Sequence, residues 1–444
     1  MGGVRIGVPA SRVSLARTAA FSVLSACSSA VVTDFGPGAP QGASDTAADP
    51  DGIESVATGE WTAPADGLCQ LTLDCAEGMN ADSRTSCEFT ATTVEGVRAF
   101  HGNADVWLRG RSSRSVPKHQ YAMELRNGDD ALSADLLGMG GESDWVLNGL
   151  WYDRLLLRNK LAFDLYREFS PLRYAPESRL CELVLDGEYV GVYALAERIK
   201  RDDDRVDIAA HDAFVLAQTD HECFHTNTTT YGCYKLRSPD EDAISADDAS
   251  GIEAFLSGWE AATVSTDPYN AETGVFTWVE LDSAIDIVLL EELMKNEDAW
   301  YTSMHIWKDA GGKVNFSPWD LDMTFGVLEF YTGGDYGNPR KWIEYRPAQM
   351  AVMDASPELR ARMQVRWAEL RGGVLATDAI FARLDALQAL LGDAITRNFE
   401  RWPIEQINYG TCFYPVSSYA EEDAHVREWV TTRLAFMDER IGEY

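Results

Sequence analysis

The chain has 444 residues, of which 71 are Asp or Glu and 38 are Lys or Arg, so its formal net charge is −33. This length is too great for one simple core and predicts one large domain or two lobes. The acidic charge argues against nucleic acid as the main partner, and against docking on an anionic membrane through basic residues. The acidic net charge is compatible with the binding of cations or of a basic partner.

Residues 1–27 have the features of an export signal. A basic beginning is followed by an uncharged stretch that ends in the small residues Leu24-Ser25-Ala26-Cys27. These four residues resemble a bacterial lipobox, in which the cysteine becomes the lipidated first residue. The alternative is a disordered tail with an incidental cysteine. We expect export and a membrane contact only through a lipid anchor at Cys27. Residues 28–67 have the composition of a disordered tether.

Seven further cysteines predict disulfide bonds in an exported protein, with one thiol left over. They are Cys69, Cys75, Cys87, Cys181, Cys223, Cys233 and Cys412. The 223–233 pair brackets a Thr-rich stretch that it could staple, and two of the first three are expected to pair. A zinc site is not favoured, because no Cys-x-x-Cys pair or matching His cluster is present.

Hydrophobic periodicity predicts a mixed architecture of type α+β. Strands are expected at 70–73, 88–92, 104–108 and 120–125, and a hairpin at 181–196 with its turn at Asp186-Gly187. Helices are expected at 153–169, 251–262, 282–295, 357–370, 377–400 and 420–441.

The segment 296–326 contains the residues that are best suited to chemistry. Residues 304–308 and 313–317 are predicted to form two strands joined by a turn at 309–312. The expected register places Met304 beside Ser317. The loops before and after this hairpin would then lie side by side.

Four polar residues of these loops are expected to converge: Asp298, Ser303, Asp320 and Asp322. Carboxylates brought together in this way repel each other unless a cation or a proton intervenes. Hard oxygen ligands of this kind suit Mg²⁺ or Mn²⁺. The layout is similar to the active end of a protein kinase, where a catalytic Asp and a hairpin lead to a metal-binding Asp. The alternative is an acidic loop pair that only caps a hairpin.

Four blocks, in order along the chain, resemble the CotH family of spore-coat-type atypical protein kinases. The blocks are Arg109-Gly110-Arg111-Ser112-Ser113 with Lys118, Leu157-Arg158-Asn159-Lys160-Leu161-Ala162, the hairpin sequence from Leu185 to Glu197, and Pro318-Trp319-Asp320-Leu321-Asp322 with Phe325-Gly326. The resemblance covers about 68–441. It implies a divergent protein-kinase-like fold with a strand-rich N-terminal lobe (about 68–215) and a helical C-terminal lobe (about 216–441).

The resemblance also implies an activity: transfer of the γ-phosphoryl group of ATP, with Mg²⁺ or Mn²⁺, to Ser or Thr of surface or coat proteins. The acidic charge would suit a basic protein substrate. Carried over by position, Asp298 would be the catalytic aspartate and Asp320 the metal ligand, with Asp322 assisting or replacing it.

Four further residues of the matching blocks become candidates for nucleotide binding. Lys118 and Arg158 are candidates for phosphate contacts, since Lys supplies a point charge and Arg a bidentate fork. Arg109 and the adjacent glycine loop would cover the phosphates. Glu197 would contact the nucleotide or pair with a basic residue.

One departure from the family concerns Ser303, which stands where the family often has Asn. A Ser hydroxyl can contact Mg²⁺, but it is a shorter and weaker ligand than an Asn carbonyl. Two alternatives therefore stay open: a non-catalytic pseudokinase scaffold at the surface, and a metal-dependent phosphohydrolase that uses the same carboxylates.

Overall fold

The structure is a computed structural model that describes residues 68–444 except 77, 81–82, 220, 229–232, 297, 301, 332–333 and 410–411. The predicted signal, the lipobox at Cys27 and the tether lie outside the described residues.

The described residues form short and long strands and eight α-helices. The strands are β1 (Cys69–Asp74), β2 (Thr85–Thr92), β3 (Arg98–Arg109), β4 (Gln120–Asn127), β5 (Asp130–Ala131), β6 (Ala134–Asp135), β7 (Gly141–Glu142), β8 (Asp144–Asn148), β9 (Ser178–Leu185), β10 (Glu188–Glu197), β11 (Phe214–Thr219), β12 (His225–Thr226), β13 (Cys233–Ser238), β14 (Met304–Lys308), β15 (Asn315–Pro318), β16 (Phe330–Tyr331) and β17 (Gly334–Asp335). The helices are α1 (Arg158–Phe169), α2 (Ala246–Thr263), α3 (Leu281–Met294), α4 (Ala348–Asp354), α5 (Pro357–Arg371), α6 (Thr377–Leu391), α7 (Ala394–Arg401) and α8 (Tyr419–Arg440).

The N-terminal strands close into a seven-stranded barrel. Its order is β3-β2-β1-β9-β10-β8-β4, and β4 also pairs with β3, which closes the ring; β5 extends β4 outside it. All pairs are antiparallel except β1 with β9. Alternate residues of each strand point inward, and Leu71, Phe89, Met123, Trp145 and Leu195 fill the interior.

A second sheet, of five strands in the order β12-β13-β11-β14-β15, follows the barrel in sequence. It shares a large apolar core with the helices. Helix α3 is central to this core, because every residue of it except Asp282 is buried. Its buried residues include the acidic side chains of Asp286, Glu291 and Glu292.

The α+β class is therefore confirmed, while the kinase-like fold stays a prediction. The strand-rich part is a closed barrel, and the chain passes from it into the second sheet between residues 197 and 214. The predicted lobe boundary at residue 215 falls inside β11.

Several predicted elements differ from the observed ones in their ends. The first predicted helix begins at Arg158, because the Asp153 side chain accepts hydrogen bonds from the Leu155 and Arg158 amides and holds the preceding residues in a turn. The single helix expected at 377–400 is two helices, which are separated at Gly392 with φ 46°. The hairpin turned at Asp186-Gly187 is confirmed.

Three disulfide bonds lie in the described part of the chain: Cys69–Cys181 between β1 and β9, Cys75–Cys87, and Cys223–Cys233. The stapled Thr-rich stretch and the pair near the start of the domain are thus confirmed. No described cysteine is a free thiol, since Cys412 is also disulfide-bonded, so the expected remaining thiol is wrong. Three disulfides are typical of an exported protein. Among the described helices, none has both the length and the apolar character that crossing a membrane requires.

Candidate active site

The hairpin of β14 and β15 forms as predicted, but its register is shifted by one residue. Met304 lies opposite Pro318 instead of Ser317. The turn is longer because Val314 leaves the hairpin and pairs with the segment at 278–280 through backbone hydrogen bonds. Strand β14 is also bonded to β11, which fixes the hairpin inside the second sheet.

The two loops at the end of this hairpin have strained backbones. Trp300, Ser303, Asp320 and Phe325 all have positive φ, between 51° and 70°. For residues with a Cβ atom this region costs ~1 kcal/mol or more per residue, and such strain is concentrated at functional sites. The loops are therefore held in place by the surrounding structure and not by local preference.

Asp320 and Ser303 contact each other across these loops. The Ser303 hydroxyl donates a hydrogen bond to Asp320 Oδ2 at 3.4 Å. Burial raises the pKa of Asp320, although the charge of Arg109 and the Ser303 hydrogen bond act in the opposite direction. The side chain that was expected to be a metal ligand thus lies beside the serine that replaces the usual Asn.

Asp322 is the least compensated charge of the group. Its exposure is 6%, and no described residue forms a hydrogen bond or an ion pair with its carboxylate. Burial, and then the charges of Asp320, Asp153 and Asp298, raise the pKa of Asp322 well above its usual value. A cation beside Asp320 and Asp322 would remove this cost.

Asp298 belongs to the same region, since its charge acts on Asp322. Its backbone amide donates to Asn296 Oδ1 at 3.2 Å, and its carbonyl accepts from Thr302 at 3.2 Å. The structure thus brings together the four loop residues that the sequence singled out.

The oxygen ligands at this site suit a divalent ion that takes only part of its ligands from the protein. In the described ranges, no group of three or more His, Cys, Asp or Glu side chains has a metal-binding arrangement. Mg²⁺ at phosphoryl-transfer sites takes only one or two carboxylates from the protein, and its other ligands are substrate phosphates and water. Asp320, Asp322 and the Ser303 hydroxyl fit that pattern and do not fit a closed protein cage.

Arg109 lies next to this group. Its guanidinium covers the Trp319 ring at 5.2 Å, one residue before Asp320. Burial lowers the pKa of Arg109, while the Asp320 carboxylate raises it. A phosphate contact of Arg109 stays a prediction.

Lys118 and Glu197 are engaged with other groups. Lys118 is 2% exposed, and its amine donates to Val192 O at 2.6 Å and to Asn398 Oδ1 at 2.8 Å. Burial lowers the pKa of Lys118 to about 7. Glu197 accepts hydrogen bonds from the Tyr174 hydroxyl at 3.0 Å and from the backbone amide of residue 177 at 2.9 Å, and burial raises its pKa to about 7.

Arg158 has a different role from the phosphate contact that the sequence suggested. Its guanidinium has no exposed surface and binds Asp153 at 2.8 Å and Glu422 at 2.6 Å. Its Nε donates to the carbonyl of Thr324 at 2.9 Å. Because every side of the guanidinium is used, Arg158 anchors the loop that carries Asp322 to α8.

Two arginines near Arg109 and His305 were missed by the sequence analysis. Arg198 directly follows β10, and Arg237 is in β13; the charges of both, with that of Arg109, act on His305. His305 is 6% exposed and packs edge-on against Trp319 at 5.8 Å. Arg198 could have been found as the residue after a matching block, whereas Arg237 has no local signal.

Comparison with known proteins identifies a family. No curated protein matches the chain. A family model described as CotH kinase protein matches residues 106–437, which is most of the chain. The matched range includes the barrel strands from β3 onward, the hairpin and its loops. The chain therefore belongs to the CotH kinase protein family.

Proposed function

We propose that this protein is an ATP-dependent protein kinase that works with Mg²⁺ or Mn²⁺. The observation that carries the proposal is the Asp320–Asp322 pair. In this pair Asp320 is half-buried, while Asp322 is buried and has no cationic partner; the pair lies at the end of a hairpin and beside Asp298. Family membership supports the same reaction class.

Asp320 and Asp322 would hold the divalent ion, with the Ser303 hydroxyl as a third oxygen. The ion would bridge and neutralise phosphate oxygens, which is the largest electrostatic contribution in phosphoryl transfer. The fixed loop backbones keep the three oxygens in place before the nucleotide binds.

Asp298 would orient the acceptor hydroxyl and take its proton. The hydroxyl oxygen forms a bond to the γ-phosphorus, and the bond from that phosphorus to the bridging oxygen breaks. Its electron pair stays on the departing ADP, so charge and atoms balance. Asp298 is only partly buried, as a group that must meet a protein substrate needs to be.

The proposed acceptor is a Ser or Thr hydroxyl of an exported surface protein. A basic substrate is favoured because the chain carries a net charge of −33. Export is supported by the disulfides, and anchoring through Cys27 is proposed from the sequence alone.

A second candidate is a non-catalytic scaffold that keeps the nucleotide site. The observation that favours it is Ser303, which reaches Asp320 only at 3.4 Å and stands where the family often has Asn. A phosphohydrolase would use the same carboxylates with water as the acceptor.

Incubation of the pure protein with γ-labelled ATP, Mn²⁺ and a basic protein substrate separates these functions. Label on protein is the expected result. Free phosphate without labelled protein would contradict the kinase function and support a hydrolase. If neither product forms, the scaffold function is supported. A matched control with Asp203→Asn, an exposed aspartate outside the site, shows that any loss in site variants is specific.

A further inference from the structure

Three arginines from three separate elements lie close enough for their charges to act on one another, and Arg109 is the one whose charge also acts on Asp320. Arg109 ends β3, Arg198 follows β10, and Arg237 lies in β13. Arg109 and His305 contact the same ring, that of Trp319, at 5.2 Å and 5.8 Å.

Arg237 is placed by a β-bulge. Val215 pairs with Ser238, but the next residue, Leu216, pairs with Leu236, so Arg237 is the extra residue of β13. A bulge redirects a side chain that a regular strand would point elsewhere, and bulges are over-represented next to active sites.

The positive charges of these arginines are poorly balanced. Arg237 has no ion pair with any described residue, and its Nε atom is buried without a hydrogen-bond partner. Arg109 stacks on Trp319 and makes one long hydrogen bond, 3.5 Å, to Gln120. Arg198 pairs with Asp144 at 3.2 Å, but that carboxylate also binds a lysine at 2.7 Å.

The lack of dedicated carboxylate partners for these arginines is unexpected, because the chain is rich in acidic residues. With 71 Asp and Glu for 38 Lys and Arg, carboxylates are available for every basic residue. Burial, and then Arg198 and Arg109, lower the pKa of Arg237 to about 10, so the cluster is under mutual repulsion. A desolvated charge of this kind is costly unless an anion completes it.

We propose that Arg237 and Arg198, with Arg109, bind the phosphate chain of the nucleoside triphosphate on the side opposite to the Asp320–Asp322 pair. The proposal rests on the proposed kinase function and adds two binding residues to it. It also replaces the expectation that Arg158 and Lys118 contact the phosphates. The guanidinium of Arg158 is fully engaged by groups of the protein, and Lys118 is buried.

The guanidinium groups of the three arginines are suited to binding phosphate. A guanidinium presents five donors in a planar fork that fits two phosphate oxygens at once. The metal ion held by the carboxylates, together with the arginines, would neutralise the negative charge of the phosphate oxygens. A phosphorylated side chain of the substrate has the same chemistry, but the position of Arg109, whose charge acts on Asp320, favours the nucleotide.

The test uses tripolyphosphate without metal as the first probe and ATP with Mn²⁺ as the second, each followed by calorimetry on the full chain. Arg237→Gln should weaken both by roughly 10- to 100-fold, as the loss of charge-assisted hydrogen bonds predicts. Arg198→Gln should weaken them less, because Arg198 is more exposed. Arg397→Gln is the matched control: it removes an arginine that pairs with Glu182 on the barrel, and it should leave binding unchanged.

A second readout separates binding from a structural role. Without ligand, Arg237→Gln should keep or raise the Tm, because it removes an unpaired buried charge. A lowered Tm with unchanged binding would show that Arg237 only supports the fold, and the proposal would be wrong.

The remaining outcomes are also decisive. Wild-type protein that does not bind tripolyphosphate, or a phosphoserine peptide that displaces it better than ATP does, overturns the nucleotide assignment. Loss of tripolyphosphate binding in Arg237→Gln, in a protein that transfers no phosphate, supports the arginine site and contradicts the kinase.

Discussion

Two groups of buried carboxylates lie close together, and they differ in how their charge is balanced. Asp153 and Glu422 each bind Arg158, at 2.8 Å and 2.6 Å. Asp320 and Asp322 lie on the neighbouring loop, and no described residue pairs with Asp322.

The electrostatic consequences are opposite for Glu422 and Asp322, whereas burial raises the pKa of Asp153 although Arg158 acts in the opposite direction. Burial alone would raise the pKa of Glu422, but Arg158 and Arg154 outweigh it and the pKa is lowered. Burial and neighbouring carboxylates instead raise the pKa of Asp322. Buried charges that are fully paired define the structure, whereas buried charges left unpaired mark a place where a ligand completes the balance.

The largest effect is expected from breaking the paired group. Arg158→Met should destabilise the protein by about 3–5 kcal/mol, because Asp153 would remain buried without an ionic partner and Glu422 would keep only Arg154. Chemical denaturation measures this, with Arg397→Gln as a surface control that should change stability by about 0–1 kcal/mol. A change for Arg158→Met no larger than that of the control would show that the network is not a structural element.

A smaller effect is expected at Glu291, which lies near Asp298 and has a buried, unpartnered Oε2 atom. Burial raises the pKa of Glu291 to about 8. Because this exceeds the unfolded value, the folded state holds the proton more tightly. The contribution of Glu291 to stability is therefore complete below pH 4.5 and is lost as the pH rises to about 8.

Glu291→Gln should flatten the fall of Tm over this pH range, because the amide does not titrate. The exposed Glu358→Gln is the control and should keep the wild-type slope. An unchanged slope for Glu291→Gln would mean that Glu291 is ionised in the folded protein and that the loop region is better solvated than its burial suggests.

The smallest effect concerns Ser303. Ser303→Asn should preserve or raise phosphoryl transfer, because it supplies the longer ligand of the family. Ser303→Ala should lower transfer by a modest factor, on the order of one hydrogen bond or ~1 kcal/mol. Steady-state rates measure both. If the wild type transfers no phosphate and Ser303→Asn does, the natural protein is a scaffold.

The sequence alone was sufficient to predict the elements whose structure is determined by residues close together in the chain. The hairpin at Asp186-Gly187 and the strand at 304–308 follow from turn chemistry and alternation. The loop carboxylates were found because the hairpin that joins them is local. The one-residue register error arose because Val314 pairs with a distant segment, which hydrophobic pattern cannot reveal.

Features that depend on distant strands were not predictable. The barrel closes through β3 with β4 and β1 with β9, and these pairings are decided by packing. Arg237 has no local motif, because its role depends on a bulge between β11 and β13. Two partners of Arg158, Glu422 and the carbonyl of Thr324, are far away in sequence, so its motif suggested phosphate where the structure has an internal ion network.

The most direct test of the account is the Mn²⁺ dependence of ATP binding in the wild type, Asp322→Asn and the control Asp203→Asn. The account predicts that Mn²⁺ strengthens ATP binding in the wild type and control, and that Asp322→Asn loses at least ~10-fold of this gain. It also predicts that Asp322→Asn without ligands has an equal or higher Tm, since an uncompensated charge is removed. Metal-dependent ATP binding that is unchanged in Asp322→Asn would contradict the claim that the unpaired carboxylates form the cation site.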